Sequence, residues 1–304
     1  MNDTLIILNP AAGGGGGADR VRDWAARRPK VELRVTEGPG DARRWARDAA
    51  ERGRHRVVAA GGDGTVHEVA SGLLDHGAGG PTLALLPLGT GNDLARSLEV
   101  PDDLEAALEV LERGRVRAMD VARVRWDGDS DQEGDGSGES FLVNALTGGF
   151  SGELHDSLDE GVKSAWGPLS YLKTGLEEWG ERSTYAITVS VDGESQEYEA
   201  LNLVVANGAS AGGGMPISPE ADPFDGVLNV LVVRDAPGWE LSALAARMLA
   251  GEPGDHDALD RRRGRSVLVE ADESFPVSLD GERITVRSLE MELRPGTLSV
   301  VVGG

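Results

Sequence analysis

The sequence predicts an α/β layer over residues 1–120, a parallel sheet with helices on both faces, followed by an antiparallel β-sandwich over 121–287. Three observations carry this. Up to Gly114, apolar strand-like runs alternate with amphipathic helical stretches, the pattern of a parallel sheet covered on both sides. From Arg115 onward most apolar runs are separated only by turn residues, as in a sandwich. A chain of 304 residues is long enough for two cores.

Taken in order, 4-TLIIL-8, 31-VELRV-35, 57-VVAA-60 and 82-TLALL-86 read as strands. Residues 18–28, 41–52 and 102–114 read as helices, and a further helix after Gly64 places Val66, Val69, Ala70, Leu73 and Leu74 on one face. In the second half, 115–126, 141–148, 184–193, 199–208, 227–235 and 265–272 read as strands, interrupted by helices over 168–180 and 239–251. Strands near 284–293 and 297–302 fit either half, so a tail over about 288–304 is expected to pack back on the first. The insert 127-DGDSDQEGDGSGE-139 reads as a solvated hairpin tip; its Asp127, Asp129 and Asp131 resemble the start of a calcium loop, but Gln132 and Gly138 stand where such a loop needs glycine and glutamate.

Composition excludes several functions. The net charge is −22, and only three basic residues are lysines, Lys30, Lys163 and Lys173. Such a surface disfavours nucleic acid as a partner. It fits a halophilic cytoplasm, where the Debye length falls to about 3 Å at 1 M salt. With no cysteine there is no disulfide, thiolate metal site or thiol nucleophile. No run resembles a signal peptide or a membrane span, so a cytoplasmic protein is expected, at most peripheral at the inner face of the cell membrane. Oligomeric state is open, a homodimer among the options.

The chemistry is expected at strand ends, where ligands of open α/β sheets bind. The first glycine cluster, Gly61-Gly62-Asp63-Gly64-Thr65, follows a strand and opens a helix. Bare amides there favour a phosphate, while a plain turn, with Thr65 and Glu68 as a capping box, is the alternative. A second cluster, 87-PLGTGNDLARSL-98, sets Gly89 and Gly91 around Thr90 before a helix carrying Asn92 and Asp93, with Thr90 as the expected N-cap. The third, 9-NPAAGGGGGADR-20, follows the first strand. Any one is weak; three at one sheet edge are strong.

These motifs bring a resemblance. GGDGT with its following helix, then P-L-G-T-x-N-D-L-A-R, resembles the catalytic domain of the diacylglycerol kinase-like lipid kinases, the family of diacylglycerol and sphingosine kinases. Segments 207-NGASAGGGMPISPEADPFDGVLNVLVV-233 and 278-SLDGE-282 resemble its later blocks, so the likeness runs from Asn9 to Glu282. It implies ATP in a cleft between the domains and transfer of the γ-phosphoryl group to a hydroxyl of a lipid presented at a membrane surface. The implied nucleotide contacts are Asn9, Pro10, Gly13, Thr36, Gly61, Gly62, Asp63, Gly64, Thr65, Val66, His67, Glu68, Gly89, Thr90, Asn92 and Asp93. It also implies Mg²⁺ at 222-DPFDGV-227, held by the Asp225 carboxylate and main-chain oxygens of Asp222 and Val227, against an acidic turn as the alternative. Asp63 would act through a cation and its waters. Asp280 or Glu282 would supply the base, Glu282 slightly preferred, with a D-G hairpin turn as the plainer reading of that segment. His67 stands where the family often has asparagine and is read as a partly exposed polar residue of the helix's first turn, a phosphate neighbour being the alternative; Ala12 stands where the family often has serine. The helix over 239–251 is the best candidate for a lipid-facing element, core packing its other role. Rival readings are an NAD kinase and a nucleotide-binding regulator without catalysis.

Overall fold

The computed structural model describes residues 3–13, 16–77, 79–128, 136–149, 183–252 and 254–304. The expected helix over 168–180 and most of the 127–139 insert lie outside them. The chain divides into two compact units, Met1–Val121 with Arg294–Gly304, and Ala122–Leu293.

In the first unit β1 (Thr4–Leu8), β2 (Val31–Val35), β3 (Arg56–Gly61) and β4 (Thr82–Pro87) form a parallel sheet in the order β2-β1-β3-β4. Val300, in the last part of β15 (Glu282–Val302), pairs in parallel with Leu83 of β4. Strands β1, β3 and β4 read as continuous apolar runs because both faces are covered: Ile6, Ile7, Leu8, Val57 and Val58 are fully buried, while the edge strand β2 is half-buried throughout. Helices α1 (Gly17–Ala26) and α5 (Leu104–Arg113) are tied by Arg20–Glu105 and Arg28–Glu112 ion pairs. Helices α2 (Asp41–Glu51) and α3 (Asp63–Leu74) pack together so closely that a Cβ on Gly72 would fall 2.2 Å from the Arg43 carbonyl oxygen. Right-handed crossovers put these pairs on opposite faces, because the chain leaves β1 in one direction and returns past it in the other. That reversal lies between β1 and β3, the place where such sheets open a crevice at their carboxyl ends. A short helix, α4 (Asp93–Ser97), follows β4.

The second unit is antiparallel. It begins with the second part, from Ala122, of β5 (Arg115–Asp127), then β6 (Gly138–Leu142), β7 (Ala145–Gly149), β8 (Tyr185–Val191), β9 (Glu194–Ala206), the two-residue strands β10 (Ser210–Ala211) and β11 (Met215–Pro216), and β12 (Leu228–Arg234). Helix α6 (Gly238–Leu249), β13 (Leu259–Gly264) and β14 (Ser266–Leu279) precede β15. One core gathers Leu146, Val189, Leu203, Val230, Val267, Phe275 and Leu289. The other lies under α6, whose Leu241 and Leu244 are buried there while Trp239 is two-thirds exposed. Core packing is thus the role of the inner face of this helix. Among the described residues no helix is long and apolar enough to cross a membrane.

Two readings of the sequence change here. The strand expected over 141–148 is two strands, broken at Val143–Asn144, because the Asp280 carboxylate draws in the amides at the break. Strand β13 was not expected at all: LDRRRG lacks apolar alternation. Phe275 is 1% exposed, its ring packing on Tyr185 at 5.6 Å and filling the space a side chain at Gly148 would take. Phe275→Ala should therefore cost about 3–5 kcal/mol, read as a lowered urea midpoint with unchanged slope.

Candidate active site

Three glycine loops meet at the carboxyl ends of β1, β3 and β4. The register places Leu8 beside Ala60 and Gly61 beside Pro87, so the loops start level. Their contact is backbone to backbone. A Cβ on Gly13 (φ +73°) would fall 1.9 Å from the Leu88 oxygen, and one on Gly89 would fall 2.5 Å from the Gly62 Cα. At the crevice between β1 and β3, the Asn9 side-chain amide donates to Thr65 Oγ1 at 3.2 Å while its oxygen accepts from the Ala11 amide at 3.0 Å. Pro10, Gly13, Gly64 and Thr90 are exposed along this rim. Thr36, half-buried after β2, is fixed to the Leu8 carbonyl by its amide at 2.9 Å and its hydroxyl at 3.4 Å.

Asp63 joins two of the loops. Its oxygens accept from the backbone amides of Asn92, at 2.9 Å, and Asp93, at 2.8 Å, and so close the N-terminus of α4. Gly91 must lack a side chain, because a Cβ there would fall 2.2 Å from Asp63 Oδ2. Asn92 takes a left-handed conformation (φ 55°), held by hydrogen bonds of its side chain with the Gly89 amide and carbonyl and with Asp102. Burial pushes the Asp63 carboxyl above its ordinary 3.8, and the neighbouring Asp93 adds to the rise against the pull of the two amides.

Several expectations are corrected. Thr65 and Glu68 form no capping box: α3 has Gly62 as N-cap and no side-chain cap. Glu68 instead accepts from the amides of Gly40, Ala42 and Arg43, closing α2, whose own N-cap is a glycine. Thr90 does not cap α4; Asn92 holds that position. His67 is buried, 6% exposed, with Nε2 3.5 Å from Ser71 Oγ, rather than partly exposed. Both Asp63 oxygens are engaged by protein amides, so its observed task is to position backbone.

In the second unit Asp280 and Gly281, with φ of 48° and 92°, form the tight turn between β14 and β15. The Asp280 carboxylate accepts from three successive amides, Val143 at 2.8 Å, Asn144 at 2.9 Å and Ala145 at 2.8 Å. Glu282, the first residue of β15, is exposed. The D-G turn alone gives no sign of the three-amide nest that Asp280 fills.

The 222–227 turn does not fit the Mg²⁺ that the family pattern implies. Asp225 Oδ1 accepts from the Val227 amide at 3.1 Å, and Oδ2 is paired with Arg263. The Asp222 carbonyl accepts from the Asp225 amide at 3.2 Å. Among the described residues no group of three or more His, Asp or Glu gathers to hold a metal.

The diacylglycerol kinase catalytic domain matches residues 3–124, and the YegS C-terminal NAD kinase beta sandwich-like domain matches residues 147–302. The chain belongs to the diacylglycerol kinase-like lipid kinase family. A Xanthomonas euvesicatoria pv. vesicatoria protein named "Probable lipid kinase YegS-like" is 34% identical over 282 residues, covering 90% of this chain and 87% of its own. A Pseudomonas aeruginosa protein of the same name is 35% identical over 271 residues, covering 89% and 84%. The crystal structure of a diacylglycerol kinase from Bacillus anthracis superposes with a TM-score of 0.75 at 23% identity over 99% of this chain and 97% of that one. Yeast NADH kinase is a more distant likeness in fold, with a TM-score of 0.59 at 11% identity over 100% of this chain and 84% of that one.

Asp63→Asn leaves one carbonyl oxygen for two amides and turns an N–H₂ toward the other. It should cost about 1–3 kcal/mol in urea unfolding. Because the folded-state value lies above the unfolded one, Asp63 adds stability as pH falls through that value toward 3.8. The stability gap between wild type and Asp63→Asn should therefore widen toward acid; a gap that narrows would mean that the folded-state value is depressed.

Proposed function

We propose that this chain transfers the γ-phosphoryl group of ATP, supplied as its magnesium complex, to a hydroxyl of a lipid such as diacylglycerol or a related long-chain alcohol. The observation that carries the reading is the rim of three interlocked glycine loops at the sheet's switch point, in a chain that shares about a third of its residues with YegS-like lipid kinases over nearly its full length.

The chemistry follows from what those residues offer. ATP supplies an electrophilic phosphorus and a leaving group; the chain supplies placement and charge. Uncapped first-turn amides of α3, beside the exposed Gly64, attract phosphate oxygens through hydrogen bonding and the helix dipole. Backbone donors need no lysine, and the close Gly62–Gly89 approach keeps them from drifting apart. Asp63 acts as a positioning residue, fixing the second loop and Thr90 relative to the first. Glu282 is the group to take the proton of the attacking hydroxyl: the residue is solvent-exposed at the start of β15, where a substrate hydroxyl can reach it, and Asp280 serves to hold three amides. Trp239 offers an amphipathic ring for lipid headgroups.

Incubation with labelled ATP and Mg²⁺, across a range of salt, should phosphorylate diacylglycerol in mixed micelles or a component of a total lipid extract, and leave NAD unlabelled. Glu282→Ala should lower kcat by about 10²–10⁴-fold with little change in ATP affinity. Labelling of NAD alone would make the protein an NAD kinase, and nucleotide binding without turnover on any acceptor would make it a regulator.

A further inference from the structure

The acidic turn that the family pattern gives to a cation is held here by arginines. Arg261 and Arg263 of β13, and Arg265 just beyond it, stand two residues apart, the spacing that sends side chains to one face of an extended chain. Each reaches a different point of segment 220–226. Arg261 Nη1 meets Glu220 Oε1 at 3.0 Å, Arg263 pairs with Asp225 Oδ2, and Arg265 Nε donates to the Gly226 carbonyl at 3.1 Å. Arg261 also reaches Asp255 with its other nitrogen, at 3.2 Å. Gly226 has φ +79°, so the chain reverses at the point that Arg265 grips.

We infer that this arginine ladder takes the place of the divalent ion, so that the second unit holds its acidic turn without bound metal. Magnesium demands near-octahedral coordination by oxygen at about 2.0–2.1 Å. Of the two carboxylates in the turn, Asp225 already accepts from the Val227 amide and from a guanidinium, and Asp222 accepts from the Phe224 amide through Oδ1 at 3.1 Å while its carbonyl is used within the turn. A cation on Asp225 would also sit against the Arg263 charge, which repels it. The ladder offers what a single ion would not: it neutralises two carboxylates and ties the loop at three points, two on the edge strand β13 and one just beyond it. Charge-assisted bonds of this kind carry directional as well as electrostatic preference.

The inference is independent of the proposed reaction, and its test reads metal and stability rather than activity. The full chain, free of nucleotide and passed over a chelating resin, is assayed for bound metal. It is then melted in EDTA and in millimolar MgCl₂ at constant ionic strength. Expected are no stoichiometric metal and the same Tm in both. Arg263→Gln frees Asp225; the substituted Arg263 side chain is 51% exposed and its Asp225 partner keeps 24%, so the variant should fold. Its Tm should fall by roughly 2–4 °C and recover in MgCl₂, and adding Asp225→Asn should abolish that recovery. One metal per wild-type chain whose removal lowers Tm would overturn the inference. So would an Arg263→Gln variant that melts like wild type, or one that loses stability without gaining a response to Mg²⁺ through Asp225.

Discussion

The candidate nucleotide rim depends on one half-buried carboxylate facing two amides. Asp63 lies in the loop after β3, yet the groups it satisfies belong to the start of α4, after β4. An acid among phosphate-binding glycines is therefore no contradiction: it points sideways, into the protein. A helix start left without an acceptor would cost the desolvation of its amides, and the side chain of Asn92, the N-cap of α4, makes no capping bond of its own. The glycines follow from this clasp as much as from any ligand, since Gly91 must leave room for the carboxylate and Gly62 and Gly89 must touch.

The same device recurs wherever the chain has to fix backbone. Asp280 fills a nest of three amides and breaks a strand to do so. Asp192, in the matching turn between β8 and β9, accepts from the amides of Arg265 and Ser266. Glu68 closes α2 from the neighbouring helix. In a chain so rich in acids, many carboxylates organise main chain, and a residue's place in a family motif does not by itself assign it to chemistry. The distinction matters most for Asp280 and Glu282, two residues apart with quite different surroundings.

Much of this architecture is legible in the residues. The parallel strands β1, β3 and β4 appear as apolar runs because both their faces are buried, whereas the edge strand β2 is half-buried throughout and keeps Glu32 and Arg34; α2 and α3 show their small or apolar stripes through Ala42, Ala46, Val69 and Ala70. Long-range caps are not legible: nothing local to Glu68 points to Gly40, although an uncapped glycine before Asp41 does signal an acceptor elsewhere. His67 looks polar and outward in sequence but falls on the buried side of α3, since that helix starts at Asp63 and is covered on most of its surface. Strand β13 is hidden for the opposite reason. Its arginines are chosen for partners across space, so they carry no alternation for a periodicity argument to find.

The first unit is discontinuous in sequence, and that has a consequence for biosynthesis. Its sheet is finished by the stretch around Val300, which reaches β4 only after all of Ala122–Leu293 has been made. At about 5–20 residues per second, that interval is roughly ten to thirty seconds. Meanwhile the backbone edge of β4 at Leu83, where Val300 will pair, lacks that partner. An open edge of this kind can pair with a neighbouring nascent chain, so the emerging protein needs either early protection of that edge or rapid completion of the sandwich before the final strand can seal it.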